Sequence, residues 1–362
     1  MGGCVISKQS GISVDSPSIL IVVLRLIGDV LVTTPLTNSI KTKYPDAVID
    51  YLVFAGTDKA VVKNPQIRNI ITIPRRGASI SVMSLLFRKY DIAIAAYPSD
   101  RSVIASLVAG KRSIGLVYNS RDIWWKKIFL SAYCICDDRL HVVPAILSLA
   151  DKLGIPSVPW AVMGYDEADI AFASTTISKT RYILLHPYSM KQCKYWPAEQ
   201  WGKLAALIHD QIGCTAVFTS TPSLDDKDYL DEILSYAPRD VVTFPCSLNQ
   251  FAAALRECAA YVGIDTAATH IAAAVEAPTV ALYGSSLTRY WAPWPNGCED
   301  KSPFAANKGI QRTGYVTVVQ KDWDCVPCNK ETCRISNRDR MECLEAITPE
   351  EVMQEILHLM KF

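Results

Sequence analysis

Three short segments of this 362-residue chain carry residue types that could do chemistry together. In Leu24-Arg25-Leu26-Ile27-Gly28-Asp29-Val30-Leu31, an apolar run ends and a helix-like run begins around a single carboxylate. A carboxylate at the carboxyl end of a strand can take a proton from a hydroxyl group. Asp29 equally suits the role of a helix cap, and both readings stand at this point. The second segment runs His186-Pro187-Tyr188-Ser189 and then Lys194-Tyr195-Trp196-Pro197. There Ser189 can donate one hydrogen bond to a phosphate and Lys194 can supply a point charge. The third runs from Val262 through Asp265, Thr266, Ala267 and His270 to Ala274. Small residues at a strand-to-helix turn let backbone N–H groups approach an anion, and the helix amino end favours negative charge. Close helix-on-sheet packing would favour the same alanines, and His270 also suits a satisfied core position.

The elements that must position these residues alternate. Candidate strands are Ile19–Leu24, Val48–Phe54, Ile70–Ile73 and Ile92–Tyr97, then Tyr182–His186, Thr215–Phe218, Val241–Phe244, Tyr261–Ile264 and Thr279–Tyr283. Helix-like segments such as Leu31–Lys43, Val82–Lys89, Ala198–Gln211, Leu248–Glu257 and His270–Glu276 lie between them. Such alternation predicts α/β architecture with parallel sheets covered on both faces. The pattern breaks near residues 155–180, so two doubly wound domains are expected: 17–165 and 175–347, after a leader of residues 1–16 and before a closing helix at 348–362. Thr348 can cap that helix and Pro349 suits its first turn. No internal sequence repeat is visible.

Half of the residues are hydrophobic and a fifth are charged, the balance of a globular chain. The net charge of +1 conceals an asymmetry. Residues 1–150 hold 18 Lys and Arg against 10 acids, and residues 151–362 hold 19 against 26. A basic first half fits an anionic partner, but the basic residues are scattered and no nucleic-acid-binding motif accompanies them. No G-x-G-x-x-G follows the first strand, so a dinucleotide-dependent oxidoreductase lacks support. Four of the twelve cysteines, Cys325, Cys328, Cys333 and Cys343, fall within 19 residues. Four thiols so spaced can hold a structural Zn or Fe, with free thiols and disulfides as the alternatives.

The chain resembles glycosyltransferase family 9, the bacterial heptosyltransferases, from about residue 18 to its end. The resemblance is carried by Arg25…Gly28-Asp29-Val30-Leu31…Pro35, Lys41…Tyr44-Pro45-Asp46-Ala47, Tyr90-Asp91, Arg112…Gly115, His141, Lys194…Trp196-Pro197 and Gly263…Asp265-Thr266…His270…Ala273. It implies the GT-B fold, with two Rossmann-like domains facing across a cleft. The first would bind the acceptor and the second an ADP-activated sugar. It also implies inversion at the anomeric carbon with no cofactor for catalysis. Asp29 matches the family's proposed base. Ser189, Lys194, Asp265, Thr266, Ala267 and His270 match its donor-binding positions, and Asp225 or Asp226 is a candidate for the ribose. Ala267 departs from the usual glycine, which raises the question of whether a positive φ is needed there.

The implied activity is transfer of heptose from ADP-heptose to a lipopolysaccharide inner-core acceptor, in the cytoplasm or peripherally on the inner membrane. A protein acceptor such as an autotransporter, and a non-catalytic nucleotide-sugar-binding protein, remain as alternatives. On the acceptor side, Arg121, Trp124, Trp125, Lys126 and Lys127 form a basic and aromatic patch suited to a lipid interface. Arg101, Lys111 and Arg112 are expected to join it in engaging a phosphorylated core. Inward packing of the tryptophans is the competing reading.

Overall fold

The structure is a computed structural model that describes residues 16–76, 80–119, 123–178, 181–220, 224–337 and 339–360. The expected leader, apart from Ser16, lies outside the described residues, as do Arg121 and the side chain of Asp225. The chain divides into two compact units between Gly164 and Tyr165.

The first unit holds strands β1 (Ser18–Val23), β2 (Val48–Phe54), β3 (Asn69–Ile73), β4 (Tyr90–Ala95), β5 (Gly110–Val117) and β6 (Ala132–Ile135). Its helices are α1 (Ile27–Leu31), α2 (Thr34–Lys43), α3 (Ile80–Leu85), α4 (Asp100–Ala109), α5 (Trp124–Phe129) and α6 (Val142–Leu153). The strands pair in the order β3-β2-β1-β4-β5-β6, all parallel. Central β1 is almost wholly apolar and buried, because a parallel strand between helical layers has no solvent face.

The second unit holds β7 (Tyr182–His186), β8 (Thr215–Ser220), β9 (Val242–Pro245), β10 (Ala260–Ile264), β11 (Thr279–Leu282), β12 (Ile310–Thr313) and β13 (Val316–Val319). Its helices are α7 (Glu167–Ile177), α8 (Ala198–Ile212), α9 (Leu224–Tyr236), α10 (Leu248–Glu257), α11 (Ala267–Ala274), α12 (Thr288–Trp291), α13 (Glu342–Glu345) and α14 (Pro349–Leu359). The order is β12-β13-β11-β10-β7-β8-β9, parallel except for the antiparallel β12–β13 hairpin. Without that edge strand it repeats the first unit's winding, a repeat that leaves no trace in the sequence.

Several expectations are corrected. The segment Leu31–Lys43 is two helices, because the Thr33 and Thr34 hydroxyls bond back to the carbonyls of Val30 and Leu31, and Pro35 starts a new first turn. The stretch expected to link the domains holds α7, begun by a capping box of Asp166 and Asp169. The chain just before it belongs to the first unit: Val158 and Val162 donate backbone N–H groups to the hydroxyls of Ser39 and Thr34 on α2. A Cβ on Gly164 would lie 2.0 Å from the Lys63 carbonyl oxygen, so only glycine closes that unit. The closing helix α14 forms as expected, with Thr348 and Glu351 capping each other.

Candidate active site

In doubly wound sheets ligands bind beyond the carboxyl ends of the strands, where the strand order reverses. In the first unit that point lies between β1 and β4, and β1 runs directly into Arg25–Asp29. Asp29 sits in the first turn of α1, buried, with Oδ2 accepting the Leu26 N–H at 3.2 Å. The carboxylate therefore does cap its helix, and it keeps an atypical acidity. Burial pushes it up to about 6, against the Arg25 guanidinium and the Leu26 N–H, which hold it down. Arg25 lies 3.7 Å from Asp29 and over the ring of Tyr97, which follows β4. Burial and a hydrogen bond with Tyr118 push the Tyr97 phenol above its ordinary range. Tyr97 and Tyr118 had no sequence signal beyond their positions after β4 and β5.

In the second unit the reversal lies between β7 and β10. The loop after β7 delivers Ser189 and Lys194, and the turn after β10 delivers Asp265 and α11. Lys194 Nζ donates to Asp265 Oδ2 at 2.5 Å and to the Asp265 carbonyl at 3.3 Å. Ser286 Oγ donates to the same carboxylate oxygen at 2.5 Å. Thr266 caps α11 by accepting the Ala268 N–H at 3.0 Å. His270, one turn in, leaves Nδ1 without a hydrogen-bond partner. Burial pushes its imidazole down to about 4, with Asp265 pulling the other way, so it is neutral near pH 7. Ser189 Oγ accepts the Lys191 N–H at 3.3 Å, which leaves its own proton to give.

Packing explains the motif residues around this corner. Trp196 and Trp201 are fully buried in edge-to-face contact, and Trp196 Nε1 donates to the Ile347 carbonyl at 2.9 Å. They anchor the Lys194 loop to the core. A Cβ on Gly263 would lie 1.9 Å from the Tyr261 hydroxyl oxygen, which packs there against Thr269. Ala267 opens α11 and is not among the residues at positive φ, so the departure from glycine carries no backbone strain. Sequence reading missed Ser286 and Gln320. The Gln320 amide is buried and donates to the carbonyls of Gly284 and Ser286, fixing the loop after β11. Asp226 accepts the Tyr195 hydroxyl at 2.8 Å.

The basic residues expected on the acceptor side do not assemble. Lys111 and Arg112 open β5 at the amino edge of the parallel sheet, where Lys111 pairs with Asp91 at 2.9 Å. A strand of this length separates them from the carboxyl edge by roughly 20 Å. Arg101 is on the correct edge, but its guanidinium donates to the carbonyls of Pro74 and Arg75. Trp125 packs against the cluster around Val103 and Leu130, while Trp124 is exposed. Lys126 is buried against Asp100 at 2.5 Å and is not a free cation.

The expected structural Zn or Fe also does not fit the side chains as they stand. The four thiols are near one another: burial first, then Cys328, Cys325 and Cys333, push Cys343 up to about 12. Among the described residues, however, no three His, Cys, Asp or Glu side chains are placed to hold a metal ion. Burial raises the Cys333 thiol, but backbone N–H groups of Ser336, Glu342 and Ile335 outweigh it and lower its pKa. Cys343 is fixed in the short helix α13.

Comparison with known proteins agrees with this geometry. The profile of glycosyltransferase family 9 (heptosyltransferase) matches residues 81–302. Lipopolysaccharide heptosyltransferase 3 of Escherichia coli K12 is 28% identical over 298 residues, covering 75% of this chain and 83% of that protein. Among solved structures, a glycosyl transferase family 9 protein from Veillonella parvula aligns with a TM-score of 0.79 at 20% identity, over 97% of this chain and 99% of that one. The E. coli heptosyltransferase WaaC with ADP-2-deoxy-2-fluoro heptose aligns with a TM-score of 0.66 at 19% identity, over 94% and 99% of the two chains. Two Rossmann-like units, each with its motif residues at the point of strand reversal, make this the GT-B fold, and the family profile spans more than half of the sequence. The chain belongs to glycosyltransferase family 9, the heptosyltransferase family, and is a glycosyltransferase.

Proposed function

We propose that the chain moves heptose from ADP-heptose to a lipopolysaccharide inner-core acceptor, inverting the anomeric carbon. The observation that carries this reading is that the switch point of each sheet holds the half of the chemistry the reaction needs. A carboxylate with a pKa raised to about 6 stands at one, and a lysine, a helix amino end and an imidazole with an unpartnered Nδ1 stand at the other. The relatives' names and the ADP-heptose analogue in the WaaC structure support the choice of sugar and acceptor.

In this reading Asp29 takes the proton of an acceptor hydroxyl as its oxygen bonds to the anomeric carbon, and the bond from that carbon to the diphosphate oxygen breaks on the opposite face. ADP leaves with the electron pair. Lys194 gives up Asp265 for the diphosphate. With Ser189, His270 and the first turn of α11 around Thr266 and Ala267, it takes up the negative charge that grows there. The first unit then serves the acceptor and the second the donor. The reaction takes place in the cytoplasm or on the inner face of the inner membrane. No helix among the described residues is long and apolar enough to cross a membrane.

The test is ADP release with ADP-heptose against other nucleotide-sugars, using truncated lipopolysaccharide and an autotransporter passenger as separate acceptors. ADP-heptose with the lipopolysaccharide acceptor should give the highest kcat/KM. Preference for another donor, or for the protein acceptor, overturns the corresponding half of the proposal.

A further inference from the structure

One face of the first unit carries a strip of apolar side chains that its own fold leaves uncovered. The steps from β3 to β4, β4 to β5 and β5 to β6 all run in one direction across the sheet, so right-handed crossovers put α3, α4 and α5 on the same face. The step from β1 to β2 runs the other way and places α2 opposite, packed with α6. Two contacts fix the layer along α4. Arg88 N–H donates to the Val108 carbonyl at 2.9 Å near one end, and Lys126 pairs with Asp100 at the other. The helix rises about 12 Å between Asp100 and Val108.

Along this layer Leu85, Phe87, Ile104, Trp124, Ile128 and Phe129 are each between 52% and 79% exposed. Single exposed apolar residues are ordinary, but six large ones on one helical layer are not. Among the described residues of α3, α5 and the turns that follow them, the charges have one sign. Residues 80–89 and 123–131 contain Arg88, Lys89, Lys126 and Lys127 and no acid. Arg88, Lys89 and Lys127 are exposed, and Asp100 on α4 is neutralised by Lys126. An apolar strip whose free charges are positive among the described residues of α3 and α5 is complementary to a surface that is apolar inside and anionic at its face.

We propose that the α3–α4–α5 face docks on an anionic phospholipid surface. Trp124, Ile128 and Phe129 enter the interfacial region, and Lys127, Arg88 and Lys89 lie against the phosphates. The proposal stands on this surface and not on the transfer reaction, so it can fail without the reaction failing.

The experiment is co-sedimentation of the full chain with vesicles of phosphatidylethanolamine and phosphatidylglycerol, and with vesicles of phosphatidylcholine. The wild type should partition onto the anionic vesicles at least about tenfold more strongly, and less so at high salt. Trp124→Ser, Ile128→Ser and Phe129→Ser combined should reduce that partition by about tenfold or more with an unchanged melting curve. Lys127→Glu alone, at an exposed side chain, should reduce it several-fold and decides the matter if the triple variant does not fold. Wild-type protein that stays in the supernatant overturns the proposal, as do folded variants that sediment like the wild type. Size-exclusion chromatography showing a dimer broken by the same substitutions, with no vesicle binding, would assign the face to a second copy and also overturn it.

Discussion

The Arg25 guanidinium stands 3.7 Å from the Asp29 carboxylate and lies over the Tyr97 ring, whose centroid is 5.1 Å away. Burial drives Asp29 toward its neutral form, and Arg25 is the cation that resists it. A base near 6 is ionised at neutral pH yet basic enough to take a proton in the transition state. Removing the cation as Arg25→Gln should therefore move the acid limb of the kcat/KM profile from near pH 6 to higher pH. The loss of rate should be greatest near pH 6 and smallest above pH 8. A limb that stays in place would show that Arg25 does not set the Asp29 ionisation.

The same group leaves a signature in stability. Its folded pKa of about 6 exceeds its ordinary value of 3.8, so the folded state prefers the neutral form. The favourable contribution is complete below about pH 4 and is lost as the pH rises through 6, where a buried carboxylate must ionise. Two pKa units correspond to about 3 kcal/mol as an upper figure. Asp29→Asn escapes this and can still accept the Leu26 N–H. Above pH 7 it should be more stable than the wild type by up to about 3 kcal/mol, while turnover falls roughly 10²- to 10⁴-fold. Denaturant titrations at pH 4 and pH 8 separate the two effects. A gain in stability of equal size at both pH values would contradict the assignment.

How far the sequence revealed this site follows from what each residue depends on. Asp29, Lys194, Asp265 and His270 sit next to β1, β7 and β10, central strands whose apolar runs stand out, so the turns after them were visible. Strands β5 and β6 were missed. The first begins with Gly110, Lys111 and Arg112, and the second is four residues at a sheet edge. That miss removed the strand direction that separates Lys111 and Arg112 from Asp29. Helix α7 was hidden because its Ser- and Thr-rich sequence reads as a linker. Only its capping box and its packing on α10 make it a helix. Ser286 and Gln320 act through long-range contacts and lie in no periodic segment.

In the second unit the pairing of Lys194 with Asp265 predicts the cost of losing the ammonium. A hydrogen bond to a charged group contributes about 1.5–3 kcal/mol, so Lys194→Ala should raise the donor KM roughly 10- to 150-fold. It also leaves the largely buried Asp265 carboxylate with Ser286 as its remaining side-chain donor among the contacts described above. Lys194→Arg should not restore the wild-type KM, because a planar fork cannot reproduce a point charge that contacts both the carboxylate and the Asp265 carbonyl. Steady-state ADP release with varied ADP-heptose measures both variants. A KM within twofold of the wild type for Lys194→Ala would remove the charge role, and the same result for Lys194→Arg would show that a cation of either shape suffices.

Ser286 reaches the same carboxylate from the loop after β11 and acts through Asp265 as a positioning residue. When Lys194 turns to a phosphate, Ser286 is the group that still holds Asp265, and Gln320 holds Ser286 by its backbone. Ser286→Ala should therefore raise the donor KM by about 3- to 10-fold, the worth of one hydrogen bond, with little change in kcat at saturating donor. Ser286→Thr keeps the hydroxyl and should restore most of the lost affinity. Gln320→Leu strands two carbonyls in the core and should weaken donor binding and lower the melting temperature together. The contrast is the test. A purely structural Ser286 would show the same pairing of KM and stability losses as Gln320, whereas a positioning Ser286 changes KM with the melting curve unmoved.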